Sequence, residues 1–243
     1  FKKHILNNYR YIENLMIAKY KKIIFDLDGT LIDVFQCYYK LHKICCEKLD
    51  SQSLTFDQYK NMKSNGCSEY MILKNLFRGE NKILEDLLNW RTNSIEKKQF
   101  IRLHDLKPNV TELLSELKDA NIDLYLATFR QDKYNLIWQL NELGLHKFFN
   151  KILCRGDFDN YFDKTKSRIL TEGLPNLDRC CMVGDTLVDF ETARELSIDC
   201  ILLTDGLRSV EYFLKRNINV TFAKINDVRS AFFNVLPTYN LEN

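Results

Sequence analysis

The chain has 243 residues, of which 45% are hydrophobic and 28% are charged, and its formal net charge is +2. This length accommodates one large domain or a core with an insertion, and the composition is ordinary for a soluble globular protein. Charges of both signs are interspersed without a basic stripe, which argues against a nucleic-acid partner. No apolar run approaches the ~18 residues that a membrane-spanning helix needs.

The eight cysteines form no CxxC pair, and the four histidines are far apart in the sequence. A disulfide framework is therefore not expected, and a reducing cytoplasmic location fits better. The histidines lack the spacing of a zinc site, so we expect surface or core histidines.

The first predicted elements are a helix over residues 4–20 and a strand over 22–27. The next block is helical without a convincing strand, and its segments are predicted at 34–49, 55–63, 68–77 and 83–100. Asn109 is the expected N-cap of a helix that runs to residue 120.

From residue 122 onward, strands and helices alternate, which is typical of a parallel sheet covered on both faces. The strands are predicted at 122–128, 150–154, 180–184, 199–204 and 219–222. The helices are predicted at 133–143, 165–172, 187–196, 209–216 and 225–235. We therefore expect an α/β fold with an N-terminal extension at 1–21, a core at 22–33 and 104–243, and an all-helical insertion at 34–103.

The first strand runs directly into Asp26 and Asp28, and Gly29 and Thr30 follow. Residues i and i+2 of a strand point to the same face, and acids at the end of a buried strand are costly unless a cation or chemistry holds them. The carboxyl ends of parallel strands are also where open α/β sheets bind ligands. The structural alternative is an acidic turn in which Gly29 supplies a positive φ.

Three more polar segments follow later elements in the same way. Thr128 ends the strand at 122–128, Lys164 and Lys166 lie at the start of the helix at 165–172, and Gly184-Asp185 with Asp189 lies at the end of the strand at 180–184 and in the turn and helix after it. Each segment alone has an ordinary structural explanation, such as a helix-capping acid or a solvated lysine. Their order after Asp26 and Asp28 favours one common site.

This order of DxDGT, strand-Thr, lysine-rich segment and GDxxxD resembles the haloacid dehalogenase (HAD) superfamily over about residues 20–205. The resemblance implies a Rossmann-like parallel sheet core, and it implies that the inserted helical domain is a cap that closes over the site and selects the substrate. Within the superfamily, the chain is similar to the phosphoglycolate-phosphatase-like members.

The resemblance also implies catalytic roles. Asp26 would be the nucleophile that forms an aspartyl-phosphate, and Asp28 would be the general acid and base. Dehalogenases of the superfamily lack an acid at the second position, so Asp28 favours phosphoryl transfer. Thr128 and Lys166 would complete the catalytic set.

The implied phosphate contacts are Gly29, Thr128, Phe129, Arg130 and Lys166. Lys164 is the alternative to Lys166, which we prefer because apolar residues follow it at +3 and +4, as in the family. Within the insertion, Lys63, Asn65 and Arg91 are further candidate substrate contacts.

The implied cofactor is Mg²⁺, which neutralises charge between an anionic nucleophile and an anionic ester. Asp26 and Asp185 would be its carboxylate ligands, Asp28 would contribute its backbone carbonyl, and Asp189 would act through water or hydrogen bonds.

The expected function is Mg²⁺-dependent hydrolysis of a small phosphorylated metabolite, without nucleic-acid or membrane partners. A phosphomutase of the β-phosphoglucomutase type shares every core motif, and a non-catalytic HAD-like binding module is the third alternative. The sequence specifies neither the substrate nor the oligomeric state.

Overall fold

The structure is a computed structural model that describes residues 20–158 and 165–232. Residues 4–19 of the helix predicted at 4–20, and the alternative lysine, Lys164, lie outside the described residues.

Six parallel strands form the main sheet, and two short antiparallel strands form a second one. The strands in chain order are β1 Lys22–Phe25, β2 Ile32–Asp33, β3 Asp105–Leu106, β4 Asp123–Thr128, β5 Lys151–Cys154, β6 Cys180–Gly184, β7 Asp199–Leu203 and β8 Thr221–Ala223. The main sheet has the order β5-β4-β1-β6-β7-β8, and β2 pairs with β3. This arrangement is a Rossmann-like α/β core, as the sequence predicts.

The helices cover the sheet and fill the segment between β2 and β3. They are α1 Phe35–Lys48, α2 Phe56–Ser64, α3 Glu69–Leu76, α4 Asn81–Thr92, α5 Lys98–Ile101, α6 Val110–Asp119, α7 Lys133–Glu142, α8 Lys166–Gly173, α9 Leu187–Glu195, α10 Val210–Leu214 and α11 Val228–Phe232. We call the segment α1–α5 the helical insertion. Among the described residues, no helix is both long and apolar enough to cross a membrane.

Strand β1 lies at the centre of the core because both of its faces are covered. Ile23 and Phe25 belong to the cluster that includes the apolar face of α6, whereas Ile24 belongs to the cluster that includes Ile169 and Leu170 of α8. A strand with two buried faces has a continuous apolar sequence, and Ile23-Ile24-Phe25 is fully buried. Strand β4 pairs with one edge of β1 and β6 with the other, so the carboxyl end of β1 is a switch point where ligands bind in such sheets.

The predicted helix at 83–100 is wrong in one respect, because the structure contains two helices there. Helix α4 ends at Thr92, α5 begins at Lys98, and turns connect them. In this connection, the Glu96 carboxylate accepts hydrogen bonds from the backbone N–H groups of Gln131 and Asp132. The break therefore brings Glu96 against the loop that follows β4, a tertiary contact that helical periodicity does not reveal.

Asn109 occupies the N-cap position of α6, as predicted, but its side chain makes no capping hydrogen bond. Its backbone has a left-handed φ of 62°, a conformation that Asn tolerates better than most residues. Its side-chain amide donates to Asn226 Oδ1 at 3.1 Å. The residue therefore acts through its backbone and through a contact with the segment before α11.

Candidate active site

The polar ends of β1, β4 and β6 meet at one edge of the sheet. Phe25 of β1 is in register with Leu126 of β4 and with Val183 of β6. Asp26 continues β1 by one residue, and Thr128 and Asp185 each lie two residues beyond those partners. The parallel register therefore gathers residues from distant parts of the sequence.

Lys166 joins two of the predicted acids. Its Nζ lies 2.7 Å from Asp26 Oδ1 and 2.6 Å from Asp189 Oδ1. Helix α8 begins at Lys166, with Thr165 as its N-cap, so the lysine projects from the first turn towards the end of β1. Burial would lower the pKa of Lys166, but the carboxylates of Asp189 and Asp26 outweigh it and raise that pKa above its ordinary value.

Asp185 is fully buried, and both of its oxygens accept hydrogen bonds. Thr30 Oγ1 donates to Oδ1 at 3.0 Å, and the backbone N–H of Leu207 donates to Oδ2 at 2.6 Å. Burial raises the pKa of Asp185 to about 6, and the charge of Asp189 adds to this effect. Gly29, at φ 87°, lies so close to this carboxylate that a Cβ there would be 2.2 Å from Oδ2.

Asp189 lies in the first turn of α9 and is also fully buried. Its Oδ2 accepts hydrogen bonds from the backbone N–H of Asp185 and from both the N–H and the hydroxyl of Thr186. A Cβ at Gly184 would lie 2.2 Å from the Asp189 side chain, so glycine is needed for this close approach. The GDxxxD segment thus combines helix capping with the placement of a buried acid that also holds Lys166.

Asp26, Asp185 and Asp189 form a cluster suited to a divalent cation. One carboxylate oxygen from each residue lies within 4.8 Å of the others. Three carboxylates and the single ammonium of Lys166 leave a formal charge of −2 in a buried site, which is costly without a compensating cation. Burial raises the pKa of Asp26 well above its usual value; Lys166 opposes this rise, and Asp189 and Asp185 add to it. Carboxylate oxygens are the ligands that Mg²⁺ prefers, so the residues present fit this ion.

Asp28 is not part of that cluster, and it forms a bidentate ion pair with Arg130. Arg130 Nε donates to Asp28 Oδ2 at 2.7 Å, and Nη2 donates to Oδ1 at 2.6 Å. Burial alone would raise the pKa of Asp28, but the Arg130 guanidinium outweighs it and holds that pKa below its usual value. Arg130 Nη2 also lies 3.1 Å from Nδ1 of His104, which Gln139 Nε2 contacts at 3.0 Å.

The remaining predicted phosphate contacts are Thr128, Phe129 and Arg130, at the end of β4 and in the loop after it. The Thr128 hydroxyl is buried and accepts from the backbone N–H of Arg130 at 3.4 Å. The Phe129 ring lies 5.6 Å from Lys166 Nζ and 3.9 Å from the Arg155 guanidinium carbon. The structure therefore places Arg130 on Asp28, whereas Phe129 lies beside Lys166.

Of the three candidate substrate contacts in the insertion, two bond to other side chains of the insertion and the third is buried. Arg91 lies 3.5 Å from the carboxylate of Glu69, and the Asn65 amide donates to Asn61 within α2. Lys63 is buried, and burial lowers its pKa to about 8.

Sequence reasoning missed the residues that support the predicted acids. His104, Gln139 and the Leu207 N–H are separated from their partners by 26, 9 and 22 positions. A lone histidine after a helix carries no spacing signal, and a backbone N–H carries no sequence signal at all. Only Thr30, as part of the DxDGT segment, could have been assigned to the site.

A family model described as haloacid dehalogenase-like hydrolase matches residues 23–203. The chain belongs to this family. The match spans both acidic motifs and the whole helical insertion. A search of curated protein sequences finds no significant match.

Three solved structures illustrate the similarity in fold. A haloacid dehalogenase-like hydrolase from Streptococcus pneumoniae is 21% identical with a TM-score of 0.71, and the alignment covers 88% of this chain and 99% of that one. A predicted phosphatase from Clostridium acetobutylicum is 20% identical, with a TM-score of 0.68 and coverage of 87% and 97%. A predicted phosphoglycolate phosphatase from Haemophilus somnus is 18% identical, with a TM-score of 0.61 and coverage of 88% and 98%.

Mg²⁺ should stabilise the protein because it offsets the charge of the three buried carboxylates. At about 100 times its Kd, a ligand adds about 2.7 kcal/mol, which corresponds to a rise in Tm of about 5 °C or more. Because the pKa of Asp185 is about 6, protons compete with the cation below that pH, and the Mg²⁺-induced rise should shrink as pH falls from 7 to 5. Differential scanning fluorimetry with and without Mg²⁺ measures both effects.

Asp185→Ala and Asp189→Ala are matched variants for this measurement. Asp189 already accepts from Lys166 and from three donors of its own turn, so we expect Asp185→Ala to weaken the Mg²⁺ titration more. Identical titration curves for the two variants would contradict this ranking, and a wild-type Tm indifferent to Mg²⁺ would contradict the cation site.

Proposed function

We propose that this hydrolase is a Mg²⁺-dependent phosphatase that hydrolyses a small phosphorylated metabolite through an aspartyl-phosphate. The observation that carries this proposal is the position of Asp26 at the carboxyl end of β1, ion-paired to Lys166 and clustered with Asp185 and Asp189. A second acid, Asp28, follows two residues later on the same edge of the sheet. The phosphatase names of two similar structures support the same reaction class.

In this proposal, an Asp26 carboxylate oxygen attacks phosphorus and the alcohol leaves, which divides one difficult hydrolysis into two easier steps. Lys166 holds that carboxylate in place and faces the charge that develops on the phosphoryl group. Bound Mg²⁺ would supply neutralisation of the phosphate charge. The Thr128 hydroxyl and the N–H groups of Phe129 and Arg130 would bind phosphate oxygens, whereas the next two N–H groups donate to Glu96.

Asp28 would transfer protons in both steps. The ion pair with Arg130 keeps it a carboxylate, which is the form that accepts a proton from the water that cleaves the aspartyl-phosphate. Protonation of the leaving oxygen in the first step requires Asp28 to carry a proton, so this ion pair must loosen when substrate is bound. In this proposal, Arg130 therefore controls whether Asp28 is ionised or protonated at each step.

A continuous assay with an aryl phosphate and Mg²⁺ tests the reaction class. Steady release of the phenol and of inorganic phosphate, abolished by excess chelator, is the expected result. A burst of one phenol per enzyme followed by arrest would instead favour the phosphomutase, because the aspartyl-phosphate would then await a second substrate. Absence of any release would favour a binding module.

We also propose that the helical insertion is a cap over this site. Two hydrogen bonds support this, because Arg208 Nη1 donates to the Lys63 carbonyl at 2.6 Å and the Ser209 N–H donates to the Ser64 carbonyl at 3.1 Å. Both donors lie in the loop after β7, which also supplies the Leu207 N–H to Asp185. Closure of the insertion would thus be linked, through this loop, to the position of the Asp185 carboxylate.

Arg208→Leu should loosen the insertion because it removes the hydrogen bond to the Lys63 carbonyl. We expect faster amide hydrogen exchange at residues 62–67 and a several-fold lower kcat/KM on small substrates. Arg194→Leu is the matched control, since Arg194 is exposed in the last turn of α9 and stacks on Phe190 of the same helix. Equal exchange at 62–67 in the two variants would contradict the proposal that the hydrogen bond from Arg208 to the Lys63 carbonyl holds the insertion on the core.

A further inference from the structure

Four consecutive backbone N–H groups follow β4, and the helical insertion occupies two of them. In the proposed function, the N–H groups of Phe129 and Arg130 bind phosphate oxygens. The next two N–H groups belong to Gln131 and Asp132, and both donate to the carboxylate of Glu96. The first half of this short loop therefore serves the proposed phosphate site, and its second half holds the insertion.

Glu96 is fixed to the core through both its side chain and its backbone. The Gln131 nitrogen lies 3.0 Å from each carboxylate oxygen, and the Asp132 nitrogen lies 2.7 Å from Oε2. The side-chain amide of Asn135 in α7 donates to the Glu96 carbonyl at 3.1 Å. Because hydrogen bonds from N–H groups to an ionised carboxylate are stronger than those between neutral groups, this contact can determine the conformation of the loop.

The core holds the same loop from its other side. The N–H of Gly156, after β5, donates to the Arg130 carbonyl at 3.2 Å. A Cβ at position 156 would lie 1.9 Å from the Gln131 carbonyl oxygen, so this close approach needs glycine. The Arg130 N–H reaches the Thr128 hydroxyl only at 3.4 Å, a long contact that a phosphate oxygen can replace. The loop is thus fixed by Gly156 on a carbonyl and by Glu96 on two N–H groups.

Glu96 also lies beside the proposed site, although it comes from the insertion. A cavity of about 160 Å³ has Asp28, Phe129, Arg130 and Glu96 in its lining. The carboxylate of Glu96 interacts electrostatically with the guanidinium groups of Arg130 and Arg155, so cations accompany its negative charge. We therefore expect the hydrogen bonds of Glu96 to affect phosphate binding more than its charge does.

We propose that Glu96 is a positioning residue for the phosphate site. It holds the loop after β4 in the conformation in which the N–H groups of Phe129 and Arg130 converge on phosphate, and it thereby makes phosphate affinity depend on the docking of the insertion. This inference rests on the proposed phosphatase function. Because coupling between two sites is reciprocal, bound phosphate must also strengthen the attachment of Glu96 to the loop.

Inorganic phosphate is the probe, because it is a product of the proposed reaction and occupies the site without turnover. Its inhibition constant against aryl phosphate hydrolysis is measured with Mg²⁺ for the wild type, Glu96→Met and Glu96→Gln. Methionine keeps the side-chain length but removes the acceptor, so phosphate should bind roughly 5- to 50-fold more weakly. KM should rise in this variant while kcat changes less, because the lost interaction serves the ground state and the transition state alike.

Glu96→Gln separates geometry from charge. Glutamine removes the charge but keeps one acceptor oxygen, so phosphate should bind more tightly to it than to Glu96→Met. If Glu96 acted only as a nearby anion, both variants would bind phosphate more tightly than the wild type.

Lys98→Met is the matched control from the same part of the insertion. The Lys98 ammonium lies 5.0 Å from the ring centroids of Tyr134 and Trp138, so it contacts α7 rather than the loop before it. This substitution should leave the inhibition constant of phosphate essentially unchanged.

Amide hydrogen exchange tests the reciprocal effect. Saturating phosphate with Mg²⁺ should slow exchange at Gln131 and Asp132 in the wild type, because phosphate strengthens the contact that their N–H groups make with Glu96. The same addition should protect these two amides less in Glu96→Met, where the acceptor is missing.

Unchanged or tighter phosphate binding in folded Glu96→Met protein would overturn the positioning role while leaving the phosphatase function intact. Equal losses in Glu96→Met and Lys98→Met would do the same, because any disturbance of the insertion would then suffice. A wild-type protein that neither hydrolyses an aryl phosphate nor binds inorganic phosphate would overturn the proposed function and this inference with it. If Glu96→Met does not fold, the Glu96→Gln inhibition constant and the wild-type exchange at Gln131 and Asp132 decide.

Discussion

Asp26→Asn should reduce kcat/KM for any phosphate monoester by about 10⁴-fold or more, because the amide cannot form the aspartyl-phosphate. The fold should persist, since Asn has the same shape and removes one negative charge from a buried cluster that carries an excess of them. Burial raises the pKa of Asp26, which means that its charged form is costly in the folded protein. We therefore expect the metal-free variant to be at least as stable as the metal-free wild type, as measured by thermal unfolding.

Asp178→Asn is the matched control for this substitution. Asp178 is exposed and lies just before β6, at the amino ends of the parallel strands, so its replacement should change neither kcat/KM nor Tm appreciably. Mass spectrometry of the wild type after rapid acid quench should show a phosphorylated peptide that contains Asp26, and Asp26→Asn should lack it. Activity near the wild-type level in folded Asp26→Asn protein would exclude this aspartate as the nucleophile.

The positions of the predicted acids follow from the sequence because a parallel sheet gathers strand ends. Asp26, Thr128 and Asp185 each come directly after or at the end of an apolar run, and parallel register places such ends at the same edge. The helical nature of the insertion was equally predictable from periodicity. These features depend on local sequence and on one topological rule.

The support around Asp28 was not predictable in this way. The ion pair between Asp28 and Arg130 joins residues 102 positions apart, whereas the sequence pattern predicts that Arg130 contacts phosphate. His104 belongs to no periodic pattern of a helix or strand. Its contact with Gln139 of α7 joins residues that are 35 positions apart. The two-residue strands β2 and β3 are likewise too short to show a periodicity. Such contacts join residues that are distant in the sequence, and they arise only when the tertiary structure forms.

Lys166→Met should reduce kcat by about 10²- to 10³-fold, the range seen when one preorganised charge-stabilising group is removed. The variant should also be less stable by about 3–5 kcal/mol, because the loss of one partner leaves buried carboxylates unpaired. Enzyme kinetics and urea unfolding measure the two effects. Lys164→Met is the comparison variant, and a larger loss of kcat there than in Lys166→Met would reverse the choice between the two lysines.

A double variant separates the catalytic effect of Lys166 from its structural effect. If Lys166 acts through Asp26, the Asp26→Asn/Lys166→Met protein should be no less active than Asp26→Asn alone, because residues that act as a unit are not additive. The double variant should be more stable than Lys166→Met alone. The amide at position 26 needs no cation, so only Asp189 has lost its lysine partner. Additive losses of activity would show that Lys166 contributes independently of Asp26, for example through the phosphate alone.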